Sequence, residues 1–417
     1  MKERHGSTGP LAGLRVVDLT SVVMGPVTTQ ILADYGADVV KVEPLEGDVM
    51  RLAAPMRNPS MGAMFLHANR NKRSLALDIK KPKGRQALLK LCAEADVFIH
   101  NIRGEAMRRL GLGFDDIRAV KRDIVYVNLV GYSENGPYGS YPAYDDIIQG
   151  AVAIPSICAT VTGSEPTYVP LTMVDRICGI SAAHAVLAAI IYRDRTGEGQ
   201  SVEVPMFETM AHFVLGDHMG GKTFDPPIGP TGYSRLLSRD RKPYPTKDGY
   251  ICVMVYSDKQ WRSFFTAIGR GPWQERSDRF ATHAARAKQY EEVYRLLAEI
   301  FPLRTTAEWT ELLSASDVPH SPLHSIDSLI DDKHLAAVGF FRQVEHPTEG
   351  SIRLSDMPMR WSASQPEFRM HPPRIGEHSV ELLLKLGFRD DEIAELCTEK
   401  VTVDGASAAP GSKSNRR

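Results

Sequence analysis

Asp175 carries the chemistry most open to argument in this chain. It precedes an apolar, Ala-rich segment over residues 177–192, which ends in a charged turn containing Gly197 and leads into a strand-like run at 201–204. A helix N-terminus holds unpaired N–H donors and partial positive charge, so a carboxylate there stays ionised. The plain expectation is an N-capping aspartate; the sharper one is a nucleophilic carboxylate, and the two roles can coexist. Cationic and amide side chains gather elsewhere in the first half. Asn69, Arg70, Asn71, Lys72 and Arg73 come just before a strand-like run; Asn101, Ile102 and Arg103 come just after another, with Arg108 and Arg109 following. Loops at the carboxyl ends of parallel strands line ligand crevices, which suits Asn101 and Arg103 for an anionic ligand. Solvated surface charge is the alternative for any one of them.

Other letter patterns fail on context. Gly216 to Thr223 spells a phosphate-loop pattern, but a helical run precedes it and Pro226-Pro227 follow, where a helix would have to begin. The turn after the first strand, Thr20 to Pro26, lacks the G-x-G-x-x-G of a dinucleotide site. His320 and His324 are separated by Pro322, which spoils helical presentation of two metal ligands. His184, inside the apolar segment, reads as a satisfied core histidine. No serine sits in a G-x-S-x-G elbow.

The elements that must position these groups alternate strand and helix. Residues 14–19 and 39–43 read as strands flanking a helix over 27–35, a βαβ unit that implies a parallel sheet. Strands at 74–78, 96–100 and 124–129, with helices at 83–94 and 105–110, continue it. Residues 130–144, rich in Gly, Pro and Tyr, read as a functional loop. The expected fold is α/β: a Rossmann-like parallel-sheet large domain built from both ends of the chain, plus a smaller α+β domain. Its expected divisions are a flexible tail at 1–9, the large domain at 10–215, linker and small domain at 216–330, a return at 331–400, and a disordered tail at 401–417.

Length suits that division, since 417 residues exceed one ordinary core. Charge is balanced, 50 Lys+Arg against 51 Asp+Glu, so no whole-chain field draws the protein to nucleic acid or anionic membrane. Five scattered cysteines, none in a C-x-x-C pair, argue for a reducing compartment and against a thiolate metal site. The N-terminus has no signal-peptide core, and the apolar run at 177–192 is shorter than the ~20 residues needed to span a bilayer. A cytoplasmic protein without metal or membrane is expected.

Taken together, the ordered pieces resemble the class III CoA-transferases, the group typified by formyl-CoA:oxalate and carnitine CoA-transferases, over roughly residues 10–395. They are the run from Pro10 to Leu19; Gly25-Pro26; Leu32 to Ala37 with Val40 to Pro44; and Asn71 to Ser74. Then come Ala95-Asp96-Val97 with Asn101, Tyr144-Asp145 with Gln149, Asp175 with Gly179, Arg195 to Gln200, and Pro373 to His378. The resemblance implies that Asp175 is the nucleophile, passing through aspartyl anhydrides and an aspartyl-CoA thioester. CoA moves from an acyl-CoA to a free carboxylic acid without ATP, metal or bound cofactor. It further implies CoA contacts from Val23, Met24, Asn71, Lys72, Asn101, Ile102, Arg103 and Arg109, and an oxyanion role for the loop near 218–232. Tyr141, Tyr144, Arg176 and residues 218–235 would shape the acceptor pocket, with succinyl-CoA as donor and a small dicarboxylate or hydroxy acid as acceptor by analogy. An interlocked homodimer is the implied assembly. Some relatives carry His and Gln where this chain has Ser21 and Val23, and Arg where it has Pro44. Two alternatives differ in kind. An acyl-CoA racemase of the same superfamily needs a second base, but Ala143-Tyr144-Asp145 stands where racemases have Gly-His-Asp. A non-catalytic CoA-binding protein would not need Asp175.

Overall fold

In the computed structural model of this chain, residues 9–406 are described. In chain order the first half comprises β1 (Arg15–Leu19), α1 (Met24–Asp34), β2 (Asp38–Glu43), α2 (Ala63–Ala68), β3 (Lys72–Ala76), α3 (Pro82–Ala93), β4 (Val97–His100), α4 (Gly104–Arg109), α5 (Phe114–Val120) and β5 (Val125–Val130). Next come α6 (Asp145–Ala151), α7 (Ile154–Thr162), α8 (Met173–Thr196), β6 (Gln200–Pro205) and α9 (Met206–His218). Six strands form one sheet in the order β3-β2-β1-β4-β5-β6, and every pairing is parallel. This is the doubly wound order, in which the direction of winding reverses between β1 and β4. Its first five strands are buried almost throughout because both faces are covered. Val17, Val40, Leu75, Phe98 and Tyr126 share one core with Leu88 and Leu91 of α3 and with Leu382, Leu383, Ile393 and Leu396 from near the chain's end.

Two compact units divide the chain. The first holds residues up to 152, 169–212 and from 335 onward; the second holds 153–168 and 213–334. The second unit has its own aromatic core, built on Trp261, Phe264, Phe265, Phe301 and Trp309. It contains β7 (Tyr244–Pro245), β8 (Tyr250–Val253), α10 (Asp258–Ala267), α11 (Gln274–Arg279), α12 (His283–Lys288), α13 (Tyr290–Ile300), α14 (Thr306–Ala315), β9 (His320–Pro322) and α15 (Ile326–Ile330). After α16 (Lys333–Ala337) the chain rejoins the first unit through β10 (Phe341–His346), β11 (Gly350–Ser355), α17 (Ser379–Lys385) and α18 (Asp390–Thr398).

That return covers the β3 edge, which would otherwise present unpaired backbone groups. Asn71 sits in the left-handed region at φ 62°, where a short polar side chain is tolerated. Its amide donates to Asp34 and to the Glu367 carbonyl and accepts the N–H groups of Arg369 and Met370. Ser74 Oγ accepts from the Gly376 N–H at 2.8 Å. The expected tails at 1–9 and 401–417 fall mostly outside the described residues. Val401 and Thr402, however, are buried, and Thr402 pairs with Leu77, so the packed chain runs past the expected end at 400.

Helix α8 is 24 residues long, more than the apolar run suggested, and by length and composition alone could cross a membrane. It packs as a helix of the sheet layer instead, against α1. Thr28 Oγ1 donates to the Gly179 carbonyl at 2.9 Å, and a Cβ on Gly179 would meet the Met24 carbonyl at 2.7 Å, so only glycine permits this approach. Gly197, at φ 77°, ends the helix in a left-handed C-terminal turn. The core-histidine expectation for His184 is corrected: His184 is exposed, on a face of α8 shared with Ile180, Ala188 and Ile191. An apolar sequence run does not say which face finds a partner.

Candidate active site

The loops after β1 and β4 meet at the switch point. Asn101 binds Ser21 twice: its Oδ1 accepts the Ser21 N–H at 3.0 Å and its Nδ2 donates to the Ser21 carbonyl at 2.8 Å. Val22, next along, has φ 72°, a strained setting for a β-branched residue, with its N–H donated to Asp48 at 3.2 Å. A buried charge cluster fixes this loop from beneath. Asp18 accepts from Thr20, Thr29 and Lys72, while Lys41 donates to the Thr20 carbonyl and to Asp48. Burial holds the Lys72 ammonium down to about 8, against the pull of Asp18 and with the help of the Lys41 charge.

Above the loops lies a cavity of about 440 Å³, lined among others by Ser21, Met24, Asn101, Arg103, Arg108, Glu134, Tyr141, Tyr144 and Asp175. Asp175 is the third residue of α8, and the α1–α8 packing at Gly179, one turn further on, brings it beside the start of α1. It does not cap its own helix. The Asp175 N–H is instead taken by Asp145 Oδ2 at 3.0 Å, and Gln149 Nε2 steadies Asp145 at 2.7 Å. No hydrogen bond reaches the Asp175 carboxylate among the described residues, although the residue is only 9% exposed. Burial, with the Asp145 charge second, pushes the Asp175 carboxyl up to about 7, and Arg176 offsets only part of this. The site is therefore a desolvated carboxyl group, unpartnered and facing a cavity, poised to titrate near neutrality.

The residues singled out in the sequence divide. Met24, Asn101, Arg103 and Asp175 line one cavity. Val23 is the buried residue before α1, Ile102 adjoins Asn101 with its carbonyl facing His100 Nδ1, and Arg109 is exposed at the end of α4. None of these three lines the cavity. Asn71 and Lys72 are fully buried and engaged elsewhere: Asn71 ties down the C-terminal return, and Lys72 belongs to the cluster under the β1–α1 loop. Polar side chains beside a strand carry no local mark of whether they point at ligand or into the protein. Arg176 is exposed, with Nε donating to Thr172, and stands outside the cavity lining. The loop at 218–232 lies in the second unit, closed by Gly221 N–H to the Pro230 carbonyl and Gly232 N–H to the His218 carbonyl. Asp145, Asn128 and Glu134 had no assigned role; the signal for Asp145 was its place in the Tyr144-Asp145 and Gln149 motif.

Comparison with known proteins places the chain in a family. The model for CoA-transferase family III matches residues 11–379. An acyl-CoA transferase of Fusarium pseudograminearum is 31% identical, over 95% of this chain and 89% of its own. The human succinyl-CoA:glutarate CoA-transferase is 28% identical, over 94% and 90%. A CaiB/BaiF family protein from Brucella suis has a crystal structure that superposes with a TM-score of 0.76 at 27% identity, covering 91% of this chain and 99% of that one.

Proposed function

We propose, for a chain that belongs to CoA-transferase family III and is a CoA-transferase, that Asp175 carries the transfer covalently. The observation behind this is the unpartnered, buried Asp175 carboxyl group lining the cavity that also holds Asn101 and Arg103. The ionised carboxylate attacks the donor thioester, giving an aspartyl anhydride and CoA thiolate. The thiolate attacks the aspartyl carbonyl, releasing the donor acid and leaving an aspartyl-CoA thioester. The acceptor carboxylate displaces CoA to form a second anhydride, and the thiolate takes the new acyl group, restoring Asp175. Each step exchanges one acyl bond for another, so the thioester energy is retained without ATP. A carboxylate stripped of hydrogen-bond donors is the more reactive one, and the raised Asp175 titration is the other face of that desolvation.

In this reading Met24, Asn101 and Arg103 contact CoA, with Val23, Ile102 and Arg109 beside them. Asn71 and Lys72 serve it from beneath by holding the scaffold. Oxyanion stabilisation comes from backbone N–H groups. Succinyl-CoA as donor and a small dicarboxylate as acceptor is supported by the human relative's named substrates; Tyr141 and Tyr144 on the cavity wall would face the acceptor. The cavity lining contains no histidine, which favours transfer over racemisation. The exposed apolar face of α8, with Ile180 46% and Ile191 51% exposed, supports a homodimer, in keeping with an interlocked assembly in the cytoplasm.

Incubation with candidate acyl-CoAs and hydroxylamine, followed by mass spectrometry, tests the mechanism. A hydroxamate at Asp175, absent in Asp175→Ala, is expected, and the donor that produces it is identified at the same time. No modification with any donor would sink the covalent reading.

A further inference from the structure

One carboxylate lies where an anionic ligand is expected. Glu134 projects from the loop after β5 into the cavity that contains Asp175. Its backbone is held in place: Ser133 Oγ and the Glu134 N–H both donate to the Glu203 carboxylate, at 2.7 and 3.2 Å, and the Ser133 N–H donates to Glu208 at 3.2 Å. Its side chain reaches back to the basic corner of the cavity. Oε2 is paired with Arg108 at 3.2 Å, and Oε1 accepts from Asn128 Nδ2 at 3.2 Å. Oε1 also lies so close over Gly104 that a Cβ there would collide with it. Arg103, the residue before Gly104, lines the same cavity.

The corner is built for a negative group. Asn128 is 8% exposed, and its Oδ1 is buried without a hydrogen-bond partner, so the orientation of this amide is set by what its Nδ2 serves. Arg108, Asn128 Nδ2 and the bare backbone of Gly104 converge on the carboxylate of Glu134.

We propose that Glu134 is a resident competitor for the phosphate-binding corner of the acyl-CoA cleft, displaced when a phosphate of CoA enters. This rests on the reading that acyl-CoA binds in this cavity. The backbone anchors to Glu203 and Glu208 make the displacement a side-chain rotation rather than a loop opening. Rotation frees Arg108 and Asn128 Nδ2 for the ligand, and two negative groups cannot share the corner without mutual repulsion. The carboxylate thereby lowers affinity for the polyanionic part of the substrate and assists its departure after transfer.

Isothermal titration of the full-length protein and of Glu134→Gln with CoA, 3′-dephospho-CoA and pantetheine tests this, with Glu134→Ala as a second variant and melting curves to verify folding. The expected result is CoA binding about fivefold tighter in both variants, the scale of a part-exposed ion pair and a nearby like charge, with pantetheine binding unchanged. A gain that persists with 3′-dephospho-CoA assigns the corner to the diphosphate; a gain lost there assigns it to the 3′-phosphate. Equal or weaker CoA binding in the variants overturns the proposal, as does an equal gain with pantetheine. Absence of CoA binding by the unmodified protein overturns the acyl-CoA reading along with it.

Discussion

The carboxylate of Asp145 accepts the backbone N–H of Asp175 at 3.0 Å. One aspartate thus terminates the helix while the other is left free at its mouth, and the negative charge of the first opposes ionisation of the second. Capping and nucleophilic roles that a single residue might have combined are divided between two.

Asp145→Asn keeps a hydrogen-bond acceptor for that N–H and removes the like charge. The acid limb of the kcat/KM–pH profile, expected near the Asp175 titration at about 7, moves to lower pH. A profile that keeps its acid limb while kcat falls would show that Asp145 acts only on helix geometry.

Asp175 also weighs on stability. Its folded titration lies above that of an unfolded aspartate, so the native state binds the proton more tightly. The native fold is favoured below the unfolded value and loses that advantage as pH rises through about 7. Asp175→Asn, inactive in transfer, is expected to be more stable than the unmodified protein at pH 8, by up to ~4 kcal/mol, and indistinguishable from it near pH 4. Denaturant titrations at the two pH values measure this; equal stability at pH 8 would contradict the raised titration.

Asn71 ties residues 367–370 to the β2–β3 side of the sheet through both ends of its amide. Asn71→Ala removes these bonds and leaves a Cβ in a left-handed backbone without compensation. A loss of about 2–4 kcal/mol is expected, with CoA affinity of the folded fraction unchanged. A large loss of affinity at unchanged stability would return Asn71 to the CoA site.

Glu377 accepts from His371 at 3.1 Å and from the Arg374 N–H at 2.8 Å. These hold its carboxyl well below the usual range, at about 2, despite burial. A depressed carboxylate contributes stability above its unfolded value near 4.5, and that contribution fades as pH falls toward 2. Glu377→Gln therefore lowers the melting temperature at pH 7, and by much less near pH 2.5. Equal melting temperatures at pH 7 would remove the pair from the stability account.

The sequence by itself determined the alternation of strands and helices in the first half, and it marked Asp175, Asn101 and Arg103. These are properties of short windows: hydrophobic period, a turn glycine, and polar residues just past a strand end. Even there, α2, α5 and α7 went unread because short helices carry little periodic signal. The tertiary structure decided whatever depends on residues distant in sequence. Asp145, thirty residues from Asp175, reaches its N–H only because α6 and α8 pack together. Asn71 and Lys72 share residue types with a phosphate site, but burial turned them inward onto Asp34 and Asp18. Burial likewise works against the charge expectation at Asp175: a helix N-terminus offers only a fraction of a charge, and removal from water raises this carboxyl to about 7.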